Sequence, residues 1–203
     1  RTRATGDKLL LFGPMGAGKT ALCLQLRFGR VTPTVTSMQK TSGTCAFPGE
    51  KAASPAPKPV QVIDMPGTGR LRSQLQGEAA SSAVLCCVLD GTQVGAQAKE
   101  AAGMLFDVLS LEAVERRRPA LIVALNKSDQ PGCATAQAAR RLLAAELQAV
   151  RKSRTTLADT AGQTRTGGIG DPQGPDFTFE QLRAPVDFVA VSATQPKLDD
   201  FAK

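Results

Sequence analysis

Residues 13–20 read GPMGAGKT, three glycines and a proline ahead of a lysine and a threonine. Glycine allows the backbone to curl and lets a ligand approach bare peptide groups. A turn of this kind between a strand and a helix aims successive N–H groups at one point, which attracts phosphate. The phosphate cradle expected here consists of Gly13, Met15, Gly16, Ala17 and Gly18, with Lys19 reaching the terminal phosphates and the Thr20 hydroxyl binding Mg2+. A second turn, DMPG at residues 64–67, follows an apolar run. There Asp64 can hold a magnesium-bound water and the Gly67 N–H can meet a γ-phosphate, so this turn could sense whether that phosphate is present.

A third turn, NKSD at residues 126–129, carries a carboxylate for base recognition. Asp129 accepts two hydrogen bonds side by side, which suits the N1–H and exocyclic amine of guanine; adenine has no matching pair of donors, so GTP is selected over ATP. The Lys127 stem can lie along the base while Asn126 ties the turn to the glycine loop. The backbone N–H groups of Ser192 and Ala193, in VSAT at residues 191–194, could meet the guanine carbonyl. Between the first two motifs, RVTPTVTS at residues 30–37 supplies a threonine for the magnesium shell; Thr34 is the first choice and Thr36 the alternative.

These turns need strands to carry them. Buried-strand patterns occur at residues 8–12, 59–64, 83–89, 120–126 and 186–191, and helical spacing at 19–28, 98–115 and 134–150. Such alternation predicts an α/β fold of three layers, a mainly parallel sheet with helices on both faces, in one nucleotide-binding domain over residues 1–203. Ligands then sit at the carboxyl ends of the strands, where the three turns fall. The Pro- and Ala-rich stretch 47–59 reads as a hairpin tip or loop, and the polar insert 153–176 is expected to be mobile.

Composition narrows the chemistry. The chain has no histidine, which removes Ser-His-Asp and Cys-His catalysis and His-bearing zinc motifs. Five cysteines without zinc-ligand spacing read as reduced thiols. The net charge of +7 favours acidic partners, but without Trp or Tyr a base-stacking platform is unsupported, and no sequence-specific nucleic-acid binding is expected. No apolar run reaches membrane-span length, and the start at Arg1 reads as a fragment. Two alternatives to a GTP-binding switch remain: a P-loop kinase or ATPase, and a scaffold that no longer turns nucleotide over.

In their order GPMGAGKT, PT, DMPG, NKSD and SAT resemble the guanine-binding elements of small GTPases, and the Pro-Thr pair is similar to the Arf-like branch. LIVALNKSD, a helix, a polar insert and then FTFEQLRAPVDFVAVSA resemble the signal recognition particle receptor beta-subunit family, whose FxFxxL signature is carried here by Phe177, Phe179 and Leu182. The resemblance implies a P-loop GTPase fold that binds GTP and Mg2+ and regulates co-translational targeting. It also implies an N-terminal anchor, outside this chain, in the endoplasmic reticulum membrane, with the domain on the cytosolic face. The implied partner is the N-terminal domain of the receptor alpha subunit, with the ribosome or translocon as further candidates. The chain departs from the GTPase pattern at Thr68, in the usual position of a water-orienting glutamine, so unassisted hydrolysis is expected to be slow. It departs again at Thr194, where lysine is usual, and a closing helix after Lys197 looks truncated or absent.

Overall fold

The computed structural model describes residues 8–30, 33–35, 37–46, 59–68, 71–160, 169 and 174–195. Its sheet has six strands in the order β2-β3-β1-β4-β5-β6, with β1 Lys8–Phe12, β2 Thr41–Ala46, β3 Pro59–Asp64, β4 Val84–Asp90, β5 Ala120–Asn126 and β6 Val186–Ala190. Every pairing is parallel except that of β2 with β3. The helices are α1 Lys19–Phe28, α2 Arg72–Ser81, α3 Val94–Leu109, α4 Glu112–Arg117 and α5 Ala136–Thr160.

Alternation along the strands sorts the core into two layers. Leu10 and Phe12 join Leu85, Cys87, Leu105 and Leu143 on the face covered by α2, α3 and α5. Leu9 and Leu11 pack with Val62, Cys86, Leu22 and Cys23 on the face covered by α1. Strands buried on both sides read as continuous apolar runs, which is why β1, β4 and β5 are visible in the sequence. All five cysteines are free thiols, four of them buried.

Four elements differ from the sequence expectation. β2 was not foreseen: in TSGTCA Cys45 is buried while Thr41, Ser42 and Thr44 are exposed, and an edge strand exposed on one side needs little apolar content. Also unforeseen, α2 buries only Leu75 and Ala79. The single helix expected over 98–115 is two, because the chain turns at Ser110 and Leu111 before α4 resumes the same apolar face with Val114. Helix α5 continues through Ser153 to Thr160, well past the expected end at 150.

That continuation is anchored from within the polar insert. Ile169 is buried in the core, and the buried Arg151 donates to the carbonyls of Ile169 at 3.5 Å and Pro175 at 2.8 Å. Most of the rest of the insert, and the stretch 47–58, lie outside the described residues. The FxFxxL segment packs inward: Phe177 and Phe179 meet edge to face at 5.2 Å, as do Phe179 and Phe188 at 5.1 Å.

Candidate nucleotide site

The loop between β1 and α1 is shaped by its glycines. Gly13 has φ +139°, and a Cβ there would sit 2.2 Å from the Val88 carbonyl oxygen. Gly18 has φ +85°, and a Cβ would meet the Asn126 amide at 2.2 Å. A side chain at either position would push the loop off the end of the sheet.

The loop's carbonyls are tied away from its mouth. Lys19 Nζ donates to Pro14 O at 2.7 Å, Gln97 Nε2 to Met15 O at 3.3 Å and Asn126 Nδ2 to Ala17 O at 2.9 Å. In a trans peptide the C=O and the following N–H point in opposite directions. Each tether therefore aims one amide, that of Met15, Gly16 or Gly18, the other way. Helix α1 adds orphan donors, since its first closed turn is Leu22 N–H to Gly18 O at 3.0 Å. The result is a cluster of N–H groups suited to an anion. Gly67 presses against this loop: a Cβ there would lie 2.6 Å from Met15 N.

Lys19 is only 6 % exposed, and burial holds its ammonium below the ordinary lysine value, against the pull of Asp64. Asp64 is fully buried, and desolvation pushes its carboxyl up, opposed by the Thr20 hydroxyl and by Lys19. Thr20 Oγ1 donates to Asp64 Oδ2 at 2.7 Å, whereas Asp64 Oδ1 has no hydrogen-bond partner among the described residues. A buried carboxylate oxygen left bare beside two hydroxyls is a donor set that fits a hard divalent cation.

The second hydroxyl is Ser37, with Oγ 2.9 Å from Thr20 Oγ1. Thr34 lines the same cavity but is exposed and makes no hydrogen bond to Thr20 or Asp64 among the described residues. Thr36, Gly69 and Arg70 lie outside the described residues. Thr68 is half-buried, and its carbonyl accepts the Leu71 N–H at 3.2 Å.

On the far side of the cavity, Asn126 is the hub. Its Nδ2 donates to Ala17 O, while its Oδ1 accepts the Ala193 N–H at 3.0 Å, so one amide joins the glycine loop to the turn after β6. Ser128 N–H donates to Val191 O at 3.0 Å and locks the NKSD turn to the turn after β6. Ser192 Oγ donates to Asp129 Oδ1 at 2.6 Å and Thr194 Oγ1 to Asp129 Oδ2 at 3.2 Å. The Ser192 hydroxyl is the main cause of an Asp129 carboxyl held below the usual range. Lys127, at φ +64°, pairs with Asp90 at the carboxyl end of β4. Asp90 also accepts from the Thr92 N–H at 3.0 Å and the Thr92 hydroxyl at 2.7 Å.

Glycine loop, NKSD turn, VSAT turn and the segment residues Thr34, Val35 and Ser37 thus share one cavity of about 320 Å³. Sequence reasoning missed Ser37, Gln97, Asp90 and Thr92. Of these, Asp90 carried a readable signal, a carboxylate ending a buried strand on the ligand side of a parallel sheet.

The architecture and the cavity can be set beside known proteins. Over 196 residues the chain is 29% identical to the mouse signal recognition particle receptor subunit beta, covering 95% of this chain and 71% of that protein. The Dictyostelium discoideum subunit is 28% identical over 195 residues, covering 93% of this chain and 64% of that one. Among solved structures, the mammalian SRP receptor superposes with a TM-score of 0.79 at 26% identity, over 96% of both chains. The Chaetomium thermophilum receptor SRb-GTP/SRX complex gives 0.78 at 20% identity, over 96% and 97% of the two chains, a likeness of fold. The six-stranded, mostly parallel sheet is that of the P-loop GTPases. Since the model of the signal recognition particle receptor beta subunit matches residues 5–186, a span holding β1 to β5 and the whole glycine loop, the chain belongs to that family.

Proposed function

We propose that this chain is the GTP-binding beta subunit of a signal recognition particle receptor and switches contact with its alpha subunit according to the nucleotide held. The observation that carries this reading is the Asn126 amide, which spans 109 residues to Ala17 and 67 to Ala193 and so fixes a phosphate cradle and a purine-reading carboxylate on one cavity. A kinase or ATPase has no use for Asp129 at that place.

The geometry supports the following residue roles. Amides of Met15 to Gly18, the α1 N-terminus and Lys19 hold the phosphates, and the Gly67 N–H reports on the γ-phosphate. Asp129 reads guanine, with the Lys127 stem against the base and its ammonium held by Asp90. Thr20, Ser37 and Asp64, the last through water, would hold Mg2+. When bound, the ion neutralises phosphate charge and makes the switch segment sensitive to the γ-phosphate. The Thr68 hydroxyl lacks the paired donor and acceptor of an amide, so hydrolysis waits on a group supplied by a partner. We place the domain on the cytosolic face of the endoplasmic reticulum membrane; among the described residues no helix is long and apolar enough to cross a membrane.

Binding to the N-terminal domain of the alpha subunit is the direct test. A stable complex is expected in gel filtration with a non-hydrolysable GTP analogue and not with GDP; equal complex formation with both would defeat the switch reading.

The choice between Ser37 and Thr34 has its own test. Ser37→Ala should weaken the Mg2+ dependence of GTP-analogue binding about three- to tenfold, read as the Mg2+ concentration at half-maximal binding, while Thr34→Ala changes it less than about twofold. The reverse ranking would return the role to Thr34.

A further inference from the structure

The hydroxyls around Asp129 do not add up to a static network. Three oxygen contacts link Ser192, Thr194 and Asp129: Ser192 Oγ to Oδ1 at 2.6 Å, Thr194 Oγ1 to Oδ2 at 3.2 Å, and Ser192 Oγ to Thr194 Oγ1 at 2.8 Å. Only two hydroxyl protons are available to fill them, because an ionised carboxylate donates nothing. The short Ser192 bond claims one proton. The Thr194 proton then has two acceptors, Asp129 Oδ2 and Ser192 Oγ, and can serve only one well at a time. Ser192 Oγ already accepts the Thr194 N–H at 3.2 Å, which keeps the two residues in register whichever way the hydroxyl turns.

Resting on the guanine reading above, we propose that Thr194 is a positioning residue for base selection: its hydroxyl braces the second oxygen of Asp129 and turns to Ser192 when the purine arrives. The brace fixes the carboxylate plane before binding. The turn frees a lone pair on Oδ2 without leaving the hydroxyl unpaired. Thr194 is exposed at the cavity rim, where turning a hydroxyl proton needs no movement of a heavy atom.

The plane matters more for guanine than for a base with one donor. Two parallel N–H groups need both carboxylate oxygens coplanar with the ring, whereas inosine, with N1–H alone, tolerates a swung carboxylate. Removing the brace should therefore cost guanine and spare inosine.

The experiment is a displacement titration of the full chain with GTP, with inosine triphosphate and with ATP. Thr194→Val keeps the β-branched shape and removes the proton; the ratio of GTP to inosine triphosphate affinity is expected to fall about three- to tenfold, and Thr194→Ser to restore it. An unchanged ratio in Thr194→Val, whether both affinities hold or both drop together, overturns the inference while leaving Asp129 as the base reader. A parent chain that fails to prefer GTP to ATP overturns the guanine reading and this inference with it.

Discussion

Lys19→Ala is expected to abolish measurable guanine-nucleotide binding while leaving the nucleotide-free protein folded. The ammonium would form charge-assisted hydrogen bonds to phosphate oxygens, together about 3–4 kcal/mol or roughly a hundred- to thousandfold in affinity. Its hydrogen-bonded partner among the described residues is Pro14 O, and burial already depresses its proton affinity. The same substitution therefore removes an ill-compensated buried cation. Thermal melting without nucleotide should show no loss of stability. The linkage has a definite sign: a base whose folded-state pKa lies below 10.5 leaves the unfolded chain holding more protons between the two values. Stability of the nucleotide-free parent should rise with pH through that window, and Lys19→Ala should remove that contribution. Calorimetric titration with GTP checks the first claim; a variant that still binds, or one that unfolds, would reassign Lys19 from phosphate holding to packing.

What the sequence displayed and what it concealed divide along physical lines. Strands β1, β4 and β5 announce themselves because burial on both faces demands unbroken apolar runs, and the turns at their carboxyl ends carry the chemistry. Turns that must curl under a phosphate or present a carboxylate to a base leave little freedom in residue type, so GPMGAGKT and NKSD are legible without a structure. β2 and α2 are nearly silent, because an edge strand and a half-exposed helix ask for few apolar residues. The split between α3 and α4 is hidden for the opposite reason: no glycine or proline marks Ser110–Leu111, and Val114 continues the helical period across the break.

Supporting side chains were the hardest to foresee. Gln97 touches both the Met15 carbonyl and the Asp90 N–H, a position that depends on where α3 lands against the glycine loop and not on any local pattern. Ser37 competed with three nearby threonines of similar chemistry, and only the distance to Thr20 separates it from Thr34. Spacing along the chain can identify the groups that face a ligand when a tight turn sets their geometry. It cannot rank hydroxyls on an irregular segment, because there the backbone path decides which one arrives.

Asp129→Asn should transfer preference from guanine to xanthine nucleotides, and the surrounding hydroxyls say how the amide will sit. An asparagine presents one acceptor and one donor where the carboxylate presented two acceptors. Xanthine, with a carbonyl in place of the exocyclic amine, offers the complementary donor and acceptor. Ser192, at 2.6 Å from Oδ1, donates its proton there and favours the amide oxygen on that side. The amide nitrogen then faces Thr194 Oγ1, which can accept from it by turning its own proton to Ser192 Oγ, 2.8 Å away. The variant therefore keeps every hydroxyl paired and is expected to fold as the parent does. A mismatch between the amide N–H and the guanine amine should lower GTP affinity by about a hundredfold, since a polar group left unpaired, together with a lost charged bond, costs roughly 3 kcal/mol. Xanthosine triphosphate should outcompete GTP by about tenfold or more on the variant and lose to it on the parent. Displacement of a fluorescent nucleotide by each triphosphate measures both orders. A variant that retains parental GTP affinity would show that the base is read somewhere other than Asp129, and the Asn126 bridge would then connect the phosphate loop to nothing that discriminates.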